Sequence, residues 1–178
     1  MFFNWKKKKQ PDYTCSECGE VHSGWPALAY TSPTNYNTLS EEDQNNLGEL
    51  SEDFCVIDYG DQISRFIRVS LTQQVNDSKE DLDYGLWVSL SEKSFKDYHD
   101  NYNNTDHEVE YFGWLCNQLP DYEDTLSIPT TVVTQPGNSR PRIYPHQSHD
   151  HPFVKDFYKG VTAHEAQKRV DAMMQRDE

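Results

Sequence analysis

Between Phe54 and Leu71 the chain carries a pattern that suits a β-hairpin and little else. Phe54-Cys55-Val56-Ile57-Asp58-Tyr59 is a short apolar run, Gly60-Asp61 is a turn pair, and the next segment sets Ile63, Ile67, Val69 and Leu71 on one face. Two-residue periodicity on both sides of a glycine turn predicts two antiparallel strands with a shared apolar face. That face must be covered, so whatever else the chain does, it has to build layers over a sheet.

The rest of the pattern extends the sheet and supplies the cover. Tyr84 to Leu90 alternates again and passes at Ser91 into a helix whose apolar face is Phe95, Tyr98, His99 and Tyr102, at the i, i+3, i+4, i+7 spacing. His99 on that face reads as a packing residue. Tyr111 to Cys116 is an aromatic run that suits either state. Thr130 to Gln135 and Arg142 to Tyr144 predict strands that pair around the turn Pro136-Gly137-Asn138. A short acidic helix over Leu39 to Leu47 is capped by Ser40. Gly160 closes a segment from Pro152 to Lys159. The last helix starts at a capping box, Thr162 and Glu165, and presents Ala163, Ala166, Val170, Met173 and Met174 as a docking stripe. With strands concentrated before residue 145 and two helical segments after it, the expected fold is α+β: an antiparallel sheet with helices packed on one side. Its length of 178 residues suits one domain over 12–178 behind a flexible basic leader, residues 1–11.

The second feature is a turn. Cys15-Ser16-Glu17-Cys18-Gly19-Glu20-Val21-His22 places two thiols three positions apart with a glycine behind them. Zinc takes thiolate and imidazole ligands in a tetrahedron, and this spacing lets both sulfurs reach one ion. The sequence therefore predicts a zinc-knuckle-like turn with Cys15, Cys18 and His22 as ligands. His151 is taken as the fourth, with Cys55, Cys116, His146 and His149 as alternatives. Asp150 beside His151 reads two ways, as a carboxylate orienting a ligand histidine or as the cap of the helix that Pro152 opens. A redox dithiol would follow a buried strand and open a helix, whereas this pair follows Gln10-Pro11-Asp12-Tyr13-Thr14. A disulfide framework does not suit four cysteines in a chain of this length.

Charge narrows the partners. Thirty acidic residues against sixteen basic ones give −14, although four of the cations sit together in Lys6-Lys7-Lys8-Lys9. Seven carboxylates fall between Glu41 and Asp58 without a lysine or arginine. Such a surface repels nucleic acid and anionic lipid and favours a basic protein partner. Met1 to Trp5 is too short for a secretory apolar run, and no stretch approaches the roughly 20 apolar residues of a bilayer span, so the expected compartment is the cytoplasm.

Several separated motifs resemble one family. Cys15-x-x-Cys18-Gly19-x-x-His22, Gly85-Leu86-Trp87-Val88-Ser89-Leu90-Ser91-Glu92, Tyr111-Phe112-Gly113-Trp114-Leu115-Cys116-Asn117, Leu119-Pro120, Asp124-Thr125-Leu126, Arg140-Pro141 and Asp150-His151-Pro152 follow one another in order. Together they resemble the bacterial family catalogued as domain of unknown function 2199, from about Tyr13 onward. The resemblance implies a free-standing bacterial cytoplasmic domain and no established activity. The lysine-rich leader and the acidic loops around Ser78 and Asn104 depart from it.

Catalytic motifs are missing from the sequence. There is no Gly-x-Ser-x-Gly elbow, no phosphate-cradling glycine loop and no His-x-Glu element near the candidate ligands, and His164-Glu165 lacks metalloprotease spacing. The sequence reading is a non-enzymatic acidic protein-binding module, immunity-like, with a structural zinc turn. The alternatives are a zinc-dependent hydrolase acting on a small molecule and a thiol redox sensor.

Overall fold

The computed structural model describes residues 12–14 and 19–175. The strands are β1 (Asp12–Thr14), β2 (Val21–Ser23), β3 (Leu28–Ala29), β4 (Gly48–Leu50), β5 (Phe54–Asp58), β6 (Ile63–Gln73), β7 (Leu82–Leu90), β8 (Glu110–Leu115), β9 (Pro129–Val133) and β10 (Arg142–Pro145). The helices are α1 (Thr34–Asn37), α2 (Glu41–Leu47), α3 (Glu92–Asp100), α4 (Pro152–Lys159) and α5 (Ala163–Met174).

The predicted hairpin forms, with Asp58 opposite Ile63 and Gly60 in the left-handed region at φ 89°. Gly60 N–H donates to the Asp58 side chain at 2.8 Å, so the turn closes on its own carboxylate. β6 then pairs with β7 over eight residues, from Phe66 opposite Ser89 to Gln73 opposite Leu82. The β9–β10 hairpin also forms, and the uncertain aromatic run becomes β8.

The sheet departs from the expected open layer. Its order is β3-β7-β8-β9-β10-β6-β5-β4, and the β6–β7 pairing closes β6 to β10 into a five-stranded barrel. Two pairings are parallel: β3 with β7, and β10 with β6 at the single residue pair Arg142 and Ser70. The barrel lumen is filled by alternate residues, Ile67, Val69 and Leu71 from β6, Leu82, Leu86 and Val88 from β7, and Leu115, Val132 and Ile143 from the closing strands. Each fully buried aliphatic contributes about 1.5–3 kcal/mol.

The expectation of helices on one side is also corrected, because a closed barrel offers two ends. α3 sits where β7 finishes, its Tyr98 buried against Tyr111 at the start of β8 with ring centroids 6.4 Å apart. α4 and α5 cover the opposite end, where Gln73 Nε2 of β6 donates to the Asp156 carbonyl at 2.9 Å and Val75 bridges to Val161.

The predicted cap Ser40 accepts from Asp43 N and Thr162 from Glu165 N, and Ser91, where the sequence predicts entry into a helix, caps α3 by accepting from Ser94 N. At α4 the cap is His151 rather than Asp150. Met174 of the predicted stripe is 62% exposed, while Arg169, one position before Val170, is buried. No helix among the described residues is long and apolar enough to cross a membrane.

Candidate binding face

A second, smaller core lies on the outer wall of the barrel. Trp87 and Phe66 point outward from β7 and β6 and are covered, with Cys55, Ile57 and Cys116, by Tyr30, Tyr36, Leu39 and Leu47 from the segments around α1 and α2. Thr34 N–H donates to the Cys116 carbonyl at 2.8 Å and Gln118 N–H to Thr34 Oγ1 at 3.1 Å, which fixes α1 against the loop after β8.

Where this cover ends, the wall opens into a groove of about 330 Å³. Phe66, Ser89 and Cys116 line it. Asn35, Ser64, Trp114, Leu126 and Ser127 also line it. Ser127 holds a left-handed φ of 63°, and its N–H donates to the Leu115 carbonyl at 2.7 Å, so the rim is fixed in a conformation that is unfavourable for a side-chain-bearing residue.

From the groove an aromatic surface continues over the outer face of β8, β9 and β10. Phe112 lies opposite Thr131 and Thr131 opposite Tyr144, so one row of the sheet carries both rings. Phe112, Trp114 and Tyr144 are 48%, 44% and 42% exposed. Phe112 meets Trp114 edge to face at 4.8 Å and His146 at 5.5 Å, and His146 Nε2 lies 3.2 Å from Thr131 Oγ1. Glu110 shares the outer face of β8 by alternation, and Glu123 and Asp124 precede Leu126 in the rim loop.

The thiols of the wall are inert. Burial pushes Cys116 up to about 11, with hydrogen bonding to Ser89 opposing the shift, and burial followed by the nearby Cys116 pushes Cys55 up to about 12. Both are neutral at physiological pH, whereas nucleophilic attack and metal ligation use the thiolate.

The predicted metal ligands fall as follows. Cys15 and Cys18 lie outside the described residues. His22 lies in β2, paired with Tyr13 across the β1–β2 hairpin. His151 spends both ring nitrogens: Nδ1 accepts from Phe153 N–H at 3.1 Å and Nε2 donates to the Glu123 carbonyl at 2.7 Å. As placed, it offers a metal no free nitrogen. His149 stacks on His151 at 6.2 Å, and His146 belongs to the aromatic face. Among the described residues no three His, Cys, Asp or Glu side chains converge as a metal centre.

Sequence reasoning missed two polar devices. Asn117, fully buried, accepts from Trp87 N–H at 2.7 Å and donates to the Ser32 carbonyl at 3.0 Å. Under α5, Arg169 donates to Asp156 at 3.1 Å and to the Tyr122 hydroxyl, with its guanidinium 5.1 Å over the Tyr122 ring. The signal for the second was present, since Arg169 follows Ala166 by three positions on the apolar stripe of a helix.

The family model described as "Uncharacterized protein conserved in bacteria (DUF2199)" matches residues 14–161, and the chain belongs to that family. No curated protein and no solved structure matches it.

Proposed function

We propose that this DUF2199 member is a non-enzymatic, immunity-like binding module that covers a basic surface of a partner protein with the outer face of β8, β9 and β10. The observation that carries the reading is the contiguous exposed aromatic surface of Phe112, Trp114 and Tyr144, joined to the groove behind Trp114. Exposed aromatics are the usual anchors of protein interfaces, and a monomer gains nothing from leaving them in water. The charge of −14 supplies the steering toward a basic surface, with Glu110 on the same face of β8 as Phe112 and Trp114.

The zinc turn belongs to this proposal as a structural element. Its support is local: β1 and β2 pair from Thr14 opposite Val21 outward, and Gly19, between the two strands in sequence, has φ 71°. Cys15, Cys18 and His22 would hold the ion. His151 joins them only by releasing the Glu123 carbonyl, so the fourth ligand is the weakest part of the set.

The test compares wild type with the double variant F112A/W114A as immobilised baits at low and at high salt, with captured proteins identified by mass spectrometry and their binding remeasured pairwise. The expected result is a basic partner held at low salt, released at high salt, and weakened at least tenfold by the double substitution. Binding that survives both changes, or no binding at low salt, refutes the reading. Elemental analysis of wild type and Cys18→Ser, purified without a metal-binding tag, tests the turn: one zinc per chain lost in the variant is expected, and no zinc in wild type removes it.

A further inference from the structure

The seam that closes the barrel holds a second recess with the opposite chemical character. β10 meets β6 at one residue pair, Arg142 and Ser70, and the flanking backbone contact is Ser70 N–H donating to the Pro141 carbonyl at 2.8 Å. So short a pairing lets the strands diverge, and the connection between β9 and β10 contributes Gln135, Pro136, Ser139 and Arg140 to the recess beside it. The result is a cavity of about 320 Å³ lined by Ser70, Gln135, Pro136, Ser139, Arg140 and Arg142.

Its charged lining is wholly cationic. Arg140 is held from behind, its Nε donating to Asp53 at 2.7 Å and its Nη2 to Glu52 at 2.8 Å, which leaves Nη1 without a partner among the described residues. The Arg142 side chain makes no ion pair or hydrogen bond among the described residues, in a chain with thirty carboxylates. Ser139 adds a hydroxyl that is likewise unpartnered there. Two residues before Ser70 on the same face of β6, Arg68 buries an Nε that has no partner. In an acidic chain, Arg142, an arginine without a counterion among the described residues, beside an Arg140 whose two carboxylates lie on its far edge, is a specific departure from the overall charge.

We propose that this cavity binds the oxyanion of a small organic molecule, a phosphoryl or carboxylate group, through the Arg142 guanidinium, Arg140 Nη1 and the Ser139 hydroxyl. Guanidinium forks match the paired oxygens of either group, and Asp53 and Glu52 pre-orient Arg140 for the contact. The volume suits a metabolite-sized ligand rather than a bare ion, with Pro136 against its apolar part. Arg142 shares the outer face of β10 with Tyr144, but none of Phe112, Trp114 and Tyr144 lines the recess, so small-anion binding there is read separately from partner binding and survives if that reading fails.

The experiment is a titration of isotope-labelled full-length protein with pyrophosphate and, separately, with citrate, followed by amide chemical shifts at constant ionic strength with chloride as the control. Saturable shifts confined to Ser70, Gln135, Ser139, Arg142 and their neighbours are expected, and the tighter probe tells phosphoryl from carboxylate. Arg142→Ala should weaken binding roughly ten- to hundredfold, the loss of one charged hydrogen-bonding group. Arg65→Ala, an arginine outside the cavity, should leave it unchanged. Arg142 is exposed, so the variant folds, and its spectrum reports that directly. No saturation with either probe, or equal affinity in Arg142→Ala, overturns the proposal.

Discussion

Replacing Asn117 by alanine should cost this domain a large part of its stability, although the residue touches no proposed ligand. Along one edge of β7 the partner changes: Tyr30 N–H reaches the Gly85 carbonyl beside β3, and Cys116 N–H reaches the Trp87 carbonyl where β8 ends. Trp87 N–H falls between the two, and the Asn117 side chain supplies the acceptor the sheet lacks there. Its amide then ties Ser32 into the same wall. Alanine leaves a buried donor and a buried acceptor without partners, each costing about 1–3 kcal/mol, so a loss of about 2–6 kcal/mol is expected. Against a typical domain stability of about 5–15 kcal/mol this is a large fraction. In urea, with a slope of about 2 kcal/mol/M, the midpoint should fall by about 1–3 M at unchanged slope. Asn117→Asp supplies a second signature. Burial raises the new carboxyl's folded pKa above its unfolded value, and the protonated acid can both accept from Trp87 and donate to Ser32. Its stability should therefore be greatest below the unfolded pKa, about 4, and be lost as pH rises through the folded pKa. An alanine variant within 0.5 kcal/mol of wild type, or an aspartate variant whose deficit ignores pH, would refute the account.

Two further outcomes follow from the buried and paired groups. In a Cys15→Ser/Cys18→Ser background, a thiol reagent at pH 8 should find neither Cys55 nor Cys116 in the folded protein and both after unfolding; because their folded values lie near 12 and 11, above the ordinary 9, they also favour the fold below about pH 9 and cease to do so as pH rises through those values. A thiol that reacts in the folded state contradicts this. At the α3 end, the Tyr111 hydroxyl donates to Asp97 at 2.7 Å and, with His107 beside it, holds that carboxyl below its ordinary 3.8. A depressed carboxylate stabilises the fold above its unfolded pKa and stops doing so as pH falls through the folded one. The stability gap between wild type and Tyr111→Phe should thus stay level from pH 7 to 5 and narrow below about 4, and chemical denaturation across that range decides it.

What the sequence by itself determined is local. The hairpin from Phe54 to Leu71 is carried by two-residue alternation and a glycine turn, and the starts of α2, α3 and α5 by Ser40, Ser91 and Thr162, because a cap or a turn is settled by neighbours a few positions away. Alternation also fixed which residues share a face, and so most of the barrel lumen. It could not say which strand edges would meet. Closure rests on Arg142 and Ser70, and its hydrogen bonds join residues 71 apart, where the outcome depends on burial gained against loop entropy rather than on any local preference. The same holds for the polar exceptions. Asn117 looks like a loop residue until a gap in the sheet edge needs its side chain, and His151 takes the cap from Asp150 because the Glu123 carbonyl is there to hold its other nitrogen. Arg169 enters the core because Asp156 and Tyr122 meet it there, while Met174, with a fully apolar side chain, is left in water beyond the barrel's end. A side chain's chemistry is written in the chain; the partner that makes its burial affordable exists only once the barrel has closed.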